Sequence, residues 1–106
     1  MTAVRYEPEA LEEFEQASAW YERARPGVGH RFAARVDDTI DRIAEAPLSF
    51  PVLLRLDATY IVRRARLDRF PYGVVFLPLA SDVRILAVAH LRRRPGYWQG
   101  RLPAGI

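Results

Sequence analysis

The chain has 106 residues, a formal net charge of +3 and no cysteine. This length favours a single domain over residues 1–106, and the lack of cysteine excludes disulfides, thiolate zinc sites and cysteine nucleophiles. With only two histidines, we expect neither a metal site nor a cofactor. No apolar run is long enough to span a membrane, and the start is rich in glutamate where a signal peptide would be basic and then apolar, so we expect a cytoplasmic protein.

Charge is distributed unevenly along the chain. All 16 basic residues are arginines; residues 1–24 contain two of them and six glutamates, whereas the remainder contains 14 arginines and seven acids. No acid follows Asp82. The basic, aromatic tail at about residues 91–106 could therefore meet an anionic partner, such as nucleic acid or an acidic peptide, or could be a solvated surface.

The first half of the chain predicts a short strand followed by a helical hairpin. Ala3–Tyr6 is typical of a strand, and Pro8 with several acids after it is typical of a helix start. Apolar residues then follow a 4-3-4-3 spacing, at Ala10, Phe14, Ala17, Tyr21 and Ala24. Residues 26–29 end this helix, and a second apolar stripe ends at Ala46-Pro47. The second stripe contains Phe32, Val36, Ile40 and Ile43.

The second half predicts an antiparallel sheet. We expect an ordered loop at Leu48–Thr59, then strands at Tyr60–Leu67, Arg69–Leu79 and Val83–Leu91, the last buried on both faces. The resulting order β-α-α-β-β-β separates the helices from most strands. This arrangement favours an α+β domain in which a helical hairpin packs on an antiparallel sheet.

A set of short motifs occurs in a characteristic order. They are Ala19-Trp20-Tyr21-Glu22 in the hairpin, Pro47 after it, Arg63-Arg64-Ala65-Arg66-Leu67, Phe70-Pro71-Tyr72, and His90-Leu91-Arg92-Arg93-Arg94-Pro95-Gly96-Tyr97-Trp98 with Arg101. The ordered set resembles the RelE/ParE superfamily of bacterial type II toxins over essentially the whole chain. The resemblance implies a small toxin neutralised by a cognate antitoxin, with which it could form a hetero-oligomer. It also implies a target that is either DNA gyrase or mRNA on the ribosome.

The residues favour binding of the target over cleavage of RNA. Cleavage requires acid and base groups aimed at one phosphodiester, yet the strand Arg69–Leu79 has no charge in its middle. We expect Arg84 and His90 to share a face of the last strand but to lie roughly 20 Å apart. The prediction is a ParE-like toxin that inhibits DNA gyrase by binding. A ribosome-dependent mRNA endoribonuclease using Arg84, His90 and Tyr97 is the alternative, and a non-toxic binding module of the same fold is a further one.

The candidate target-binding residues lie in the tail. They are Arg92, Arg93, Arg94, Tyr97, Trp98 and Arg101. Tyr97 and Trp98 could instead fasten the tail to the core, and His90 could be a structural residue hydrogen-bonded to the tail or to backbone. The candidates for antitoxin contact are three arginines of one strand, Arg63, Arg64 and Arg66.

Overall fold

In the computed structural model, which describes residues 2–103, two helices pack on one face of a five-stranded sheet. The elements are β1 (Ala3–Tyr6), α1 (Pro8–Ala24), α2 (Val28–Glu45), β2 (Val52–Arg55), β3 (Ile61–Arg66), β4 (Tyr72–Pro78) and β5 (Asp82–His90), with short 3₁₀ turns at Pro47–Ser49 and Gln99–Arg101. Residues 104–106 of the expected tail lie outside the described residues.

The expected α+β class and the antiparallel meander of β3, β4 and β5 are confirmed. The strand order across the sheet is β1-β5-β4-β3-β2, and β1 pairs with β5 in parallel. The sheet is therefore mixed, and β5 lies inside it. This position explains why most of β5 is buried on both faces.

The assignment of Leu48–Thr59 entirely to a loop is wrong, because Val52–Arg55 forms the edge strand β2, antiparallel to β3. This strand has four residues and an irregular register between Val52 and Leu54. A segment this short shows no clear period of two in its sequence. Its strand conformation comes instead from pairing with β3.

The helical hairpin is closed by contacts between the two helices. The Glu22 carboxylate accepts hydrogen bonds from the backbone N–H groups of Gly27 at 2.9 Å and Gly29 at 3.0 Å, and these donors lower the pKa of Glu22. Gly27 precedes α2 with φ of 90°, a left-handed conformation that glycine adopts without strain. At Gly29 the helices approach so closely that an added Cβ would lie 2.4 Å from the Ser18 carbonyl oxygen.

The core has one layer on each face of the sheet. Between helices and sheet, the fully buried Phe32, Ile43 and Phe76 lie in a cluster whose aromatic part also contains Tyr21, Phe70 and Tyr72. On the other face the apolar residues are Val62, Val75, Leu77, Leu86 and Ala87. Within residues 2–103 no α-helix covers that second layer. It is closed instead by Trp98 of the tail, which is only 4% exposed.

Candidate functional site

An irregularity in β5 decides which residues share a face of the sheet. Phe76 pairs with Ile85 and Val75 pairs with Ala87, so Leu86 is an extra residue on β5, and both Leu86 and Ala87 point away from the helices. Arg84, paired with Leu77, therefore lies on the face away from the helices, while His90, paired with Tyr72, lies on the helix face. The expectation that Arg84 and His90 share a face is wrong, because the bulge shifts the alternation by one residue.

Two side chains satisfy the backbone of β5 beyond the end of β1. The pairing of β1 with β5 stops at Ile85. Past that point, Arg101 Nη1 donates to the Leu86 carbonyl at 3.0 Å, and the Val88 N–H donates to Glu13 Oε1 at 3.1 Å. A side chain from the tail and one from α1 thus take the place of a neighbouring strand.

Glu13 and Arg101 also bind each other, and Tyr97 joins them. The guanidinium of Arg101 meets the Glu13 carboxylate through two bonds, of 2.8 and 3.1 Å, and the Tyr97 hydroxyl donates to Glu13 Oε2 at 2.6 Å. The side chains of Glu13 and Arg101 are only 16% and 14% exposed, so the pair is little screened by water. We call Glu13, Tyr97 and Arg101 the tail clamp.

The protonation of the tail clamp follows from these contacts. Burial, and then the hydrogen bond to Glu13, raises the pKa of Tyr97 well above its ordinary value of 10.0. The hydrogen bonds to Glu13 raise the pKa of Arg101 as well. The phenol therefore stays protonated and the guanidinium charged at neutral pH, so Tyr97 is a hydrogen-bond donor and not a base.

The three consecutive arginines of the tail, which we call the arginine arm (residues 92–94), are exposed. The backbone N–H of Arg92 donates to His90 Nδ1 at 3.1 Å, which links the start of the arm to the end of β5. The guanidinium carbon of Arg93 lies 4.0 Å from the centre of the Tyr97 ring, and that of Arg101 lies 5.0 Å from it. Of the arm residues, Arg93 is the one whose side chain stacks on the clamp.

A cleft of about 240 Å³ opens between α1 and the end of β5, and we call it the α1–β5 cleft. Its lining includes Glu13, Gln16, Trp20, Tyr72, His90 and Arg93. Trp20 is 58% exposed, and the His90 ring packs edge-on against Tyr72 with the ring centres 5.3 Å apart. His90 therefore has two roles. It lines the cleft, and through Tyr72 it packs against the aromatic cluster of the core.

Two residues of the alternative nuclease site, Arg84 and His90, lie on opposite faces of the sheet. Arg84 forms ion pairs with Glu7 at 3.3 Å and Asp82 at 3.8 Å. His90 lies on the opposite face of the sheet, and the hydroxyl of Tyr97 is bound to Glu13. Each of the three side chains thus has a different set of partners. Among residues 2–103 there is also no group of three or more histidine or acidic side chains that could hold a metal ion.

The three strand arginines divide between the two faces of β3. Arg63 pairs with Phe76 on the helix face and donates to the Phe50 carbonyl at 2.7 Å. Arg64 and Arg66 lie on the other face. Arg64 borders an apolar groove of about 300 Å³ between β2, β3 and the tail, whose lining includes Leu53, Leu54, Val75, Pro95 and Trp98.

Comparison with known proteins identifies the family. The family model of the ParE toxin of type II toxin–antitoxin systems, parDE, matches residues 4–95. The chain belongs to the ParE toxin family. A solved chain of the chromosomal ParDE system from P. aeruginosa has the same fold, with a TM-score of 0.70 and 13% identity over 85% of this chain and 96% of that chain. No curated protein matches the sequence significantly.

One residue of this ParE-family site was not found from the sequence. In the sequence Glu13 is one of several acids of the first helix, yet its carboxylate accepts bonds from Val88, Tyr97 and Arg101. A signal was present, because Glu13 lies three residues after Ala10 and four before Ala17, both buried. A carboxylate at that spacing lies beside the apolar stripe of the helix and not on its solvent face.

None of the helices within residues 2–103 combines the length and apolar character that a bilayer-spanning segment requires.

Proposed function

We propose that this ParE-family chain is a toxin that inhibits DNA gyrase by binding to it, and that it does not cleave RNA. The observation that carries the proposal is the separation of Arg84 from His90, two of the residues that an RNA-cleaving site would need: they lie on opposite faces of the sheet, and Arg84 is paired with Glu7 and Asp82. Acid and base groups act on a phosphodiester only from within hydrogen-bond reach of it, and residues on opposite faces of a sheet do not converge on one such group.

The arginine arm supports binding as the mode of action. Its three arginines are exposed, and the segment that carries them is fastened at both ends, by the Arg92–His90 bond and by the tail clamp. A fastened cationic segment loses little conformational freedom when it meets an anionic surface, which favours affinity.

The proposal predicts that the purified protein inhibits DNA supercoiling by gyrase and makes no cuts in mRNA. The two measurements are a supercoiling assay with purified gyrase and the mapping of mRNA 5′ ends in a translation extract. Codon-phased cuts together with unaffected supercoiling would reject gyrase in favour of the endoribonuclease.

Two triple variants that remove the same positive charge separate the effect of the arginine arm from that of net charge. Changing Arg92, Arg93 and Arg94 to Gln should abolish inhibition. The matched control changes Arg23, Arg25 and Arg31 to Gln, three exposed arginines around the turn between α1 and α2. It removes the same charge and should keep inhibition, because exposed charges contribute little to stability and the proposed contact is elsewhere. Equal loss in both would point to non-specific electrostatic binding.

We also propose that a cognate antitoxin neutralises the protein by covering the apolar groove and the free edge of β2. Large apolar residues are exposed on β2, at Val52 (42%) and Leu53 (36%), and on the turn before it, at Leu48 (69%). The outer edge of β2 has no neighbouring strand within residues 2–103. An extended segment could add to this edge and insert apolar side chains into the groove, with a carboxylate on Arg64.

A further inference from the structure

We propose that the α1–β5 cleft binds an acidic side chain of the protein target, with Arg93 as the contacting cation and Tyr97 and Glu13 as the residues that position it. The inference rests on the proposed function and assigns its decisive contact to one residue of the arginine arm.

The charges of the cleft lining favour an anionic ligand. Glu13 is the acid of that lining, and its charge is compensated by two bonds from Arg101. Arg93 makes no ion pair within residues 2–103 and is exposed at the cleft. The guanidinium of Arg93 is therefore the uncompensated charge of the site, and a carboxylate can bind it through two parallel hydrogen bonds.

The position of Arg93 is set by a chain of contacts that begins on α1. Glu13 holds the Tyr97 hydroxyl at 2.6 Å, which fixes the ring, and the ring supports the Arg93 guanidinium at 4.0 Å. Arg92 and Arg94 form no contact of this kind with an aromatic ring within residues 2–103. Arg93 thus enters binding with its side chain already oriented, which lowers the entropy that binding must overcome.

The shape and the walls of the cleft fit a side chain better than a nucleic-acid strand. Its volume is about 240 Å³, and Trp20 and Tyr72 offer aromatic surface that can contact the methylene groups of a glutamate or aspartate. A phosphodiester backbone is met by several cations spaced along it. The cleft lining contains one arginine, so we assign the cleft to a carboxylate of a protein.

The first test compares single variants of the arm in gyrase binding and in growth inhibition. Arg93→Gln should weaken binding about tenfold or more, because the paired hydrogen bonds between two charged groups are lost. Arg92→Gln and Arg94→Gln remove the same charge from the arm and should each give a smaller loss, of about threefold, because neither guanidinium is oriented by the clamp. Arg93→Lys should give an intermediate loss, because it keeps the charge but loses the planar fork.

The second test asks whether Tyr97 acts through Arg93. Tyr97→Phe should weaken binding in the wild-type chain but should add no loss to Arg93→Gln, since the residue it positions is then absent. Additive losses would show that Tyr97 contributes only to folding or by a separate contact. Thermal unfolding of each variant controls for stability.

The third test uses the sign of a neighbouring charge. Glu12 lies next to the cleft, where its carboxylate accepts the Gln16 amide at 3.0 Å. If the bound group is acidic, Glu12→Gln should tighten binding because it removes a repulsion. Weaker binding by this variant would show that the cleft does not take an acidic group.

The outcomes separate the inference from the proposed function. Equal losses for the three single arm variants would overturn the cleft assignment while leaving gyrase as the target. Growth inhibition without gyrase binding would reject gyrase as the target. In that case the cleft assignment would stand only if Arg93→Gln reduced growth inhibition more than Arg92→Gln and Arg94→Gln. An Arg93-dependent affinity for RNA or DNA alone would overturn the acidic side chain. A wild-type chain without either activity would overturn both.

Discussion

At the scale of single residues, Glu13 connects the helix layer to the tail. Its carboxylate accepts bonds from a strand backbone, a phenol and a guanidinium, which come from positions 75 to 88 residues away in the sequence. Removal of a carboxylate from such a partly buried set leaves donors without acceptors, which is more costly than the loss of an exposed ion pair. Glu13 is therefore a structural residue with a direct effect on the shape of the tail.

The raised pKa of Tyr97 predicts a specific dependence of stability on alkaline pH. The folded chain holds this proton more tightly than the unfolded chain, so its contribution is complete below the ordinary pKa of 10.0 and is lost as pH rises above it. At pH 7, Tyr97→Phe should lower the free energy of unfolding by about 1.5 kcal/mol, the value of a hydrogen bond to a charged group.

The difference between the wild type and Tyr97→Phe should shrink as pH rises above 10, because the variant has no phenol to ionise. Urea unfolding at a series of pH values measures this difference. A constant difference from pH 7 to pH 11 would show that the proton of Tyr97 is not linked to folding.

At the scale of elements, irregular features place the functional residues. The bulge at Leu86 sends Arg84 and His90 to opposite faces, and β2 provides both a free edge and one wall of the apolar groove. The close approach of α1 and α2 at Gly29 fixes the position of α1, and α1 carries Glu13 and Trp20. The helical hairpin is thus part of the frame of the α1–β5 cleft.

The helix contact predicts that Gly29→Ala is destabilising even though alanine favours helices. The new Cβ would lie 2.4 Å from the Ser18 carbonyl oxygen and 2.7 Å from Glu22 Cβ, so the helices must separate. Alanine gains about 1 kcal/mol in helix propensity, but the clash costs more than that. We expect a net loss of about 2 kcal/mol in the free energy of unfolding.

Gly100→Ala is the matched control for this substitution, because a Cβ at Gly100 meets nothing within 4 Å. Its effect should stay within about 0.5 kcal/mol. Chemical denaturation of both variants measures the difference, and a stable Gly29→Ala protein would show that the hairpin can relax at no cost.

At the scale of the whole molecule, the surfaces proposed for the target and for the antitoxin adjoin each other, because Ala89 and His90 line both. The α1–β5 cleft adjoins the helix face of the sheet, whereas the apolar groove lies on the face covered by the tail. The tail borders both, through Arg93 in the cleft and Pro95 and Trp98 in the groove. An antitoxin in the groove would therefore contact the segment that carries the arginine arm.

This arrangement predicts where an antitoxin protects the chain from hydrogen exchange. Protection should appear in β2, β3 and the tail when the cognate antitoxin is added, because an added strand and filled groove exclude water. Leu53→Glu should weaken antitoxin binding. The control Leu11→Glu, at a leucine of α1 that is 43% exposed compared with 36% for Leu53, should not. Equal weakening by both, or no protection at β2 and β3, would place the antitoxin elsewhere.

The sequence alone determined the elements that depend on local patterns. The apolar stripes of the two helices, with Pro8 and Gly27 at their starts, and the apolar runs of β4 and β5 were sufficient to predict the hairpin, the meander and the α+β class. Those features follow from residues close together in the chain, where a period of 3.6 or two residues can be read directly.

The tertiary structure alone decided the pairing of distant residues and the site that depends on it. The sequence did not predict β2, the parallel pairing of β1 with β5, or the bulge at Leu86, because each is set by a partner strand and not by local composition. The bond between Glu13 and Arg101 joins residues 88 positions apart. A contact over that distance leaves no periodic signal, so the clamp and the orientation of Arg93 became visible only when α1, β5 and the tail met in the folded chain.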